Sequence, residues 1–230
     1  MAFPEVQARS SGTAAASNSR GVTLPAGVTP GDLLVSAVSG DLGNFEMSWS
    51  AANWIKLLER VVAYDPAPSL CGASFALFYR VATGSDTLTI DNSNSPVKSQ
   101  FITYRIAGGG VPVGTTREVK SGLLDPPALT PGSGARNFLW LTFGATGFPE
   151  QSDRSLIGAP SGFGELVVAS QLDGFGQSLR YSLAGAERSF AASSLDPAAY
   201  GYSSSSQAVR CDAVAATVAI PSIAASGFFF

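Results

Sequence analysis

The chain has 230 residues and a net charge of −3, and only 13% of its residues are charged, against a usual share of about 25%. It has no histidine and only two cysteines, which excludes histidine-based catalytic triads and nearly all zinc chemistry. The 14 Lys and Arg residues are scattered, so no basic stripe indicates a nucleic-acid-binding protein. The 25 Gly and 14 Pro residues favour an all-β protein over a helical bundle.

The first half of the chain is a series of short apolar segments separated by turn residues. Turn residues at 30–32 precede an apolar run at 33–38, and the residues at 74–81 alternate between two faces. The segment 54–62 is also compatible with a helix, but its β-branched end favours a strand. The pattern predicts strands at 22–24, 33–38, 54–62, 74–81, 87–90 and 100–106.

The second half continues the same pattern. Residues 138–143 are apolar on both faces, which predicts a strand between two layers. Weaker strands are predicted at 165–170, 177–183 and 190–193, with a long strand at 208–220. About ten strands with Gly, Pro, Ser and Asn turns are typical of an antiparallel β-sandwich, which we expect to be jelly-roll-like and nearly free of helix.

The two halves resemble each other loosely and in the same order. Residues 53–58 resemble 162–167, and the similar regions extend over about 20–108 and 135–222. We therefore predict a single sandwich over 1–230 with pseudo-repeated halves. The alternative is two tandem small β domains split near 108–134, where Gly and Pro clusters are compatible with a linker or with a connection across the sheets.

Candidate catalytic and metal-binding residues are weak. Carboxylates near strand ends are potential members of a glycosidase pair, but nothing in the sequence brings two together; they are Glu46, Glu59, Glu118 and Glu165. An oxygen-rich group on turns lacks the spacing of a calcium loop; it consists of Asp86, Asp91, Asn92 and Asn94. We predict no catalytic residue, no metal, no cofactor and no enzyme activity.

Aromatic and cysteine residues permit two further predictions. Trp49 and Trp54 are candidates for stacking on a glycan, although core packing explains most aromatic residues of a sandwich. Cys71 and Cys211 are expected to be free thiols. The first residues of the chain lack the basic and apolar segments of a secretory signal, which predicts synthesis in a cytosol where thiols stay reduced.

The segment 223–230 is an apolar tail that ends in three phenylalanines. Three exposed Phe side chains favour aggregation, so we expect Phe228, Phe229 and Phe230 to be buried. They pack either under the sheet of their own chain or into a neighbouring subunit, and we favour the neighbouring subunit. The sequence therefore predicts a subunit contact at these three residues.

Several of these segments resemble a pattern in virion surface proteins of tailed bacteriophages and prophages. In the first half the resemblance lies in LPAGVTPGDLLV at 24–35, WIKLL at 54–58 and ASFALFYRVATGSD at 73–86. In the second half it lies in NFLWL at 137–141, APSGF at 159–163 and LDP at 195–197. The similarity covers about 20–222, and it implies a role in head decoration, a head fibre or a tail-associated structure, without catalytic residues.

The resemblance leads to a functional hypothesis. We expect a non-enzymatic structural protein of the virion, assembled in the host cytoplasm, whose partners are other virion proteins and further copies of itself. A host surface glycan is a further potential partner, whereas nucleic acid and a membrane span are not expected. The alternative is a carbohydrate-binding or host-adhesion module, and a carboxylate glycosidase is a third hypothesis.

Overall fold

A computed structural model describes residues 2–42, 48–62, 72–93, 96–119, 123–149, 156–172, 179–202 and 213–223. These residues form fifteen strands and no helix, so none of them belongs to a helix able to cross a membrane. The strands are β1 Glu5–Ser17, β2 Ser19–Val22, β3 Leu33–Leu42, β4 Trp49–Ala51, β5 Ile55–Val62, β6 Gly72–Val81, β7 Leu88–Asn92, β8 Val97–Ala107, β9 Val113–Val119, β10 Arg136–Pro149, β11 Leu156–Gly158, β12 Val167–Leu172, β13 Leu179–Ala192, β14 Gly201–Tyr202 and β15 Ala213–Pro221.

Two five-stranded antiparallel sheets form the body of the molecule, which confirms the all-β sandwich. Sheet 1 has the order β1-β8-β3-β6-β5, and sheet 2 has the order β12-β13-β10-β15-β9. Two smaller sheets, β2-β7-β4 and β11-β14, complete the described part. Each large sheet therefore takes its strands from one half of the chain.

The two large sheets have the same strand order when each strand is matched with its counterpart in the other half. The pairs are β1 with β9, β8 with β15, β3 with β10, β6 with β13, and β5 with β12. Most consecutive strands of the first half alternate between sheet 1 and the small sheet, which resembles a jelly roll. However, β5 pairs with β6 in the same sheet, and the jelly-roll part of the prediction is not confirmed.

A turn repeated at the same place in both halves supports this matching. Asn53 and Gly162 both have a left-handed backbone, with φ of 63° and 80°. Asn and Gly are the residues that adopt this region most readily. The next residue closes the turn in each case: Trp54 N–H donates to Ala51 O (3.3 Å), and Phe163 N–H to Pro160 O (2.9 Å).

Apolar layers lie on both faces of each large sheet. The inner faces meet in a shared core, which includes Leu33 and Phe75 from sheet 1 and Leu141 and Phe143 from sheet 2. The outer face of sheet 1 packs against β2, β4 and β7, and the outer face of sheet 2 packs against the segments around β11 and β14. The prediction that 138–143 lies between two layers is correct, because side chains of β10 alternate between the inner and outer cores.

The structure corrects several predicted boundaries. The two strands predicted at 177–183 and 190–193 form one strand, β13, and the segment 108–134 contains β9. Strand β1 was not predicted because its polar and small residues show no apolar alternation. The expectations for Glu46, Cys71, Asn94, Cys211 and Phe228–Phe230 concern residues outside the described ranges.

Candidate assembly surface

Four strongly exposed apolar side chains lie at one end of the sandwich, where β3 and β10 begin. They are Ile55, Val81, Val111 and Ile223, with exposed fractions of 58%, 58%, 65% and 55%. Of the described large apolar residues, only Ile157 on β11 is comparably exposed, at 61%. We call the group of four the apolar end.

The register of sheet 1 places two of these residues on its inner face. Val81 is opposite Leu33, and Ile55 is opposite Tyr79, two residues before Val81. Because opposite residues in an antiparallel pair share a face, Ile55 and Val81 both lie on the face of the shared core. Ile55 and Val81 extend the apolar inner face of sheet 1 beyond the shared core, and their side chains are exposed there.

The connection between β8 and β9 crosses this end and carries the other two residues with it. Gly109 bridges to Ser222, Gly110 N–H donates to Pro221 O (2.7 Å), and Ile223 N–H donates to Gly108 O (3.0 Å). A Cβ atom on Gly109 would lie 3.1 Å from both Leu33 Cδ2 and Ile220 Cγ2. The connection therefore closes the shared core without a side chain, and hydrogen bonds hold the backbone beside Val111 and Ile223.

Two ion pairs lie along the long sides of the sandwich. On one side Arg9 Nε donates to Glu187 Oε2 (3.0 Å), and Arg9 Nη2 donates to Glu187 Oε1. The hydrogen bonds from this guanidinium to Glu187 raise the pKa of Arg9, although partial burial opposes the shift. On the other side Arg60 Nη2 lies 3.1 Å from Glu118 Oε2. These pairs connect sheet 1 to sheet 2.

Each described candidate carboxylate has a cationic side chain within 4.0 Å. Glu59 accepts from Lys56 Nζ and from Trp49 N–H, both at 2.6 Å. Glu118 pairs with Arg60, as above, and Glu165, whose side chain is 79% exposed, lies 4.0 Å from Arg9 Nη1. The three carboxylates lie on β5, on β9 and just before β12.

The oxygen-rich group predicted on turns is divided between a turn and a strand. Asp91 and Asn92 belong to β7, whereas Asp86 closes the turn after β6. Burial would raise the pKa of Asp86, but hydrogen bonds from Gly84 N–H and Thr83 N–H, with the charge of Arg80, lower it overall. The oxygens of Asp86 thus stabilise the turn itself.

Trp49 and Trp54 lie in the core, which corrects the prediction of a glycan-stacking site. Trp49 is fully buried and Trp54 is 7% exposed, both under the outer face of sheet 1. Trp54 Nε1 donates to Thr87 O (3.1 Å), and the guanidinium of Arg20 lies 5.1 Å from the centre of the Trp49 ring. Stacking on a sugar requires an exposed ring face, and neither ring has one.

The apolar end was missed in the sequence because its four residues are far apart in the chain. A usable signal was present, since each lies at a strand boundary beside turn residues, where polar side chains are more common. Only the pairing of the strands brings the four together. The chain matches no protein-family model, no curated protein and no solved structure. Fold and surface therefore define its class: a two-sheet β-sandwich with one exposed apolar end.

Proposed function

We propose that this chain is a non-enzymatic structural protein of a bacteriophage virion, which assembles on the particle surface through its apolar end. The observation that carries the proposal is the presence of four apolar side chains, each more than half exposed, at one end of the sandwich. Exposed apolar side chains that are grouped at one end of a folded protein, and not scattered singly, are typical of association sites. We also propose that the chain is located in the virion and is assembled there in the host cytoplasm.

The backbone under the apolar end supports an assembly role because it is fixed in advance. Hydrogen bonds join the β8–β9 connection to the end of β15, and β3 pairs with β6 up to Val81. A surface already held in place loses little conformational freedom on binding, so more of its apolar burial contributes to affinity.

The segments that resemble phage virion proteins are in contact close to this end. Gly31 N–H donates to Ala82 O (2.9 Å), and Ala82 N–H donates to Asp32 O (2.7 Å), which joins the turn before β3 to the end of β6. Thr29 N–H donates to Asp32 Oδ2 (2.9 Å) and stabilises the first turn. In this protein, the residues behind the resemblance therefore support the backbone next to Val81.

The proposal is tested on particles. An antibody against the chain is applied to purified virions from the source culture, and bound antibody is imaged by negative-stain electron microscopy with pre-immune serum as control. We expect regular labelling of heads or tails. A chain that is found only in the supernatant after the particles are pelleted would overturn the virion assignment.

A further inference from the structure

The two large sheets have four edge strands, and these differ in charge. On one flank of the sandwich β1 lies beside β12, and on the other flank β5 lies beside β9. Three residues of β5 and two of β9 are charged; they are Lys56, Glu59, Arg60, Arg117 and Glu118. The stretches 10–17 of β1 and 167–172 of β12 contain no charged residue. One flank is therefore charged, and the other is uncharged over most of its length.

This difference matters because an edge strand presents unpaired backbone N–H and C=O groups to other strands. Charged side chains, short strands and bulges are the usual features that prevent pairing at an edge. Strand β5 has eight residues and a register shift between Lys56 and Leu58. Strand β1 has thirteen residues and pairs with β8 in unbroken register from Ala8 to Ala14. The longest edge strand is thus also one of the least protected.

Strand β1 extends sheet 1 beyond the shared core. None of its thirteen residues is buried. Ser11 is opposite Ile102, whose side chain lies in the shared core, yet Ser11 itself is exposed, and so is Thr13 on the same face. The side chains of this strand therefore contribute little to the core, and the edge that it forms is open to solvent.

Side chains of sheet 2 contact the backbone of the first half of the chain near the two ends of this stretch. The Ser189 hydroxyl donates to Pro4 O and Gln171 Nε2 donates to Ala14 O, both at 3.4 Å. Between these two contacts, no strand other than β8 pairs with residues 5–13 in the part of the chain that the structure describes. The backbone groups that face away from β8 are available for a further strand.

We propose that β1 of one copy pairs antiparallel with β1 of a second copy, so that the two five-stranded first sheets join into one sheet of ten strands. This inference goes beyond the proposed function and does not rest on it, because β1 contributes no residue to the apolar end. A two-fold axis through the middle of the strand lets both copies use the same edge. Closed, self-complementary contacts of this kind are the commonest form of homo-oligomer.

The sequence of β1 is compatible with pairing against itself. With the two-fold axis at Gly12, Ser10 is opposite Ala14 and Ser11 is opposite Thr13 of the other copy, so every residue of 10–14 faces a small, uncharged one. No like charges lie directly opposite, which would be destabilising. The two Arg9 residues are six positions apart along the strand pair, or about 20 Å at roughly 3.3 Å per residue. Each Arg9 remains free to bind Glu187 of its own copy.

The backbone chemistry favours a second copy over an isolated strand of another protein. A single added strand covers the edge of β1 but exposes its own far edge to the next strand. In a second copy, the far side of β1 is already paired with β8. Pairing between two copies therefore removes two open edges and creates none.

The first test measures self-association of the full-length chain by sedimentation equilibrium. Thr13→Lys adds a charge to the open edge, and the two added charges lie close together across the proposed strand pair. Thr89→Lys is the matched control, because Thr89 is also exposed but lies on β7, which has β2 and β4 on its two sides. We expect Thr13→Lys to weaken association roughly tenfold or more and the control to change it by less than threefold. Circular dichroism verifies that both variants retain their strands.

Hydrogen exchange of the unsubstituted chain identifies the surface that associates. The exchange of backbone amides is followed by mass spectrometry at concentrations below and above the association midpoint. We expect amides within 8–14 that face away from β8 to exchange roughly tenfold more slowly, or slower still, when the chain is associated. The amides of β5, the edge on the charged flank, should not change. This measurement does not depend on any variant being folded.

Several results would overturn the pairing of β1. One is a chain that stays monomeric at every concentration reached, and another is equal weakening by Thr13→Lys and Thr89→Lys. Protection that appears at 108–112 and not at 8–14 would show that copies associate through the apolar end. That result would overturn the inference but leave the proposed assembly surface in place. Failure of the virion assignment is a separate outcome, because it is measured by labelling of particles.

Discussion

Two arginines at equivalent positions of the two large sheets contact different kinds of side chain. Arg80 on β6 is opposite Leu34, and Arg188 on β13 is opposite Trp140. Arg80 Nε lies 3.0 Å from Asp86 Oδ1, in a turn closed by hydrogen bonds. The guanidinium of Arg188 instead lies 4.5 Å from the ring centre of Phe190.

The surroundings of the two arginines continue this contrast. On the other side of Leu34, Arg105 of β8 lies 3.8 Å from Asp32, so the outer face of sheet 1 has ion pairs near the start of β3. In sheet 2 the Trp140 ring stacks on Phe190 at 5.7 Å and contacts Phe138 at 5.2 Å. The same strand order is thus compatible with ion pairs or with an aromatic contact at this position of the outer face. Both halves share the apolar inner face.

The most severe test of this comparison is to express the two halves of the chain separately. Residues 1–108, expressed alone, would expose the inner face of sheet 1, which includes Val35, Phe75, Ile102 and Tyr104. We expect this fragment to aggregate or to pair with itself, and to be recovered in native form when residues 109–230 are co-expressed. The measurements are light scattering and the circular dichroism spectrum.

The opposite result would support the alternative division of the chain. A fragment 1–108 that is monomeric and unfolds in one cooperative transition would show that the first half is an independent domain. In that case each half would be stabilised chiefly by its own outer core, and the shared core would be an interface between domains.

The second prediction concerns the aromatic layer of sheet 2. Trp140→Ala removes a fully buried ring that contacts Phe138 and Phe190, and we expect a loss of about 3–5 kcal/mol in the free energy of unfolding. Leu34→Ala is the equivalent change in sheet 1 and is expected to cost about 2–4 kcal/mol. Urea unfolding measures both. A loss below about 1 kcal/mol for Trp140→Ala would show that the aromatic layer contributes little to stability.

The sequence predicted the strands that carry apolar side chains themselves. It did not predict β1, whose small residues pack against large apolar side chains of the neighbouring strand. Strands β3, β6, β8 and β10 have apolar residues on one or both faces, and their alternation is visible without a structure. Strand β1 has none of this pattern, because small residues such as Gly12 lie beneath large rings: a Cβ on Gly12 would be 2.6 Å from Phe101 Cζ. A complementary partner of this kind cannot be identified from one segment alone.

The candidate site was less predictable than the fold, for a related reason. The four residues of the apolar end are spread over more than 160 residues of the chain, from Ile55 to Ile223. No local pattern connects them. Aromatic residues were misleading in the opposite direction, because Trp49 and Trp54 follow turn-rich sequence yet lie under the small sheet. Exposure depends on which strands pair, and the pairing is not a local property.

The third prediction concerns a close contact in the shared core that exists in one sheet only. A Cβ on Gly185 would lie 2.6 Å from the hydroxyl of Tyr104, and the equivalent position in sheet 1 is Leu77. Gly185→Ala is therefore expected to cost about 1–3 kcal/mol through overpacking. Burial raises the pKa of Tyr104 well above its usual value, so this hydroxyl stays neutral. It therefore does not ionise and move into water to relieve the contact with the added methyl group.

A double-mutant cycle tests whether that contact is the cause. Tyr104→Phe removes a buried hydroxyl that has no hydrogen-bond partner among the described residues, and alone it is expected to change stability by less than about 1 kcal/mol. In its presence Gly185→Ala should recover at least half of its loss. Additive effects of the two substitutions would show that the glycine is needed for another reason.

The smallest effect is expected at the Arg80–Asp86 ion pair of sheet 1, and it depends on pH. The folded-state pKa of Asp86 lies below its ordinary value of 3.8, because hydrogen bonds from Gly84 and Thr83 and the charge of Arg80 together outweigh burial. A carboxylate with a lowered pKa adds stability that is present above its unfolded-state pKa and is lost as the pH falls through the folded-state pKa. Asp86→Asn should therefore cost about 1–2 kcal/mol at pH 7, and the difference from the unsubstituted chain should shrink as the pH falls below about 4 and through the folded-state pKa. Asp196→Asn, in the corresponding connection of the second half, is the control, because Asp196 is exposed and should change stability by less than about 0.5 kcal/mol at either pH. Thermal unfolding at pH 7 and pH 3 measures both variants. Equal losses from Asp86→Asn at the two pH values would show that the turn depends on the shape of this side chain, and that the charge of Asp86 adds no stability.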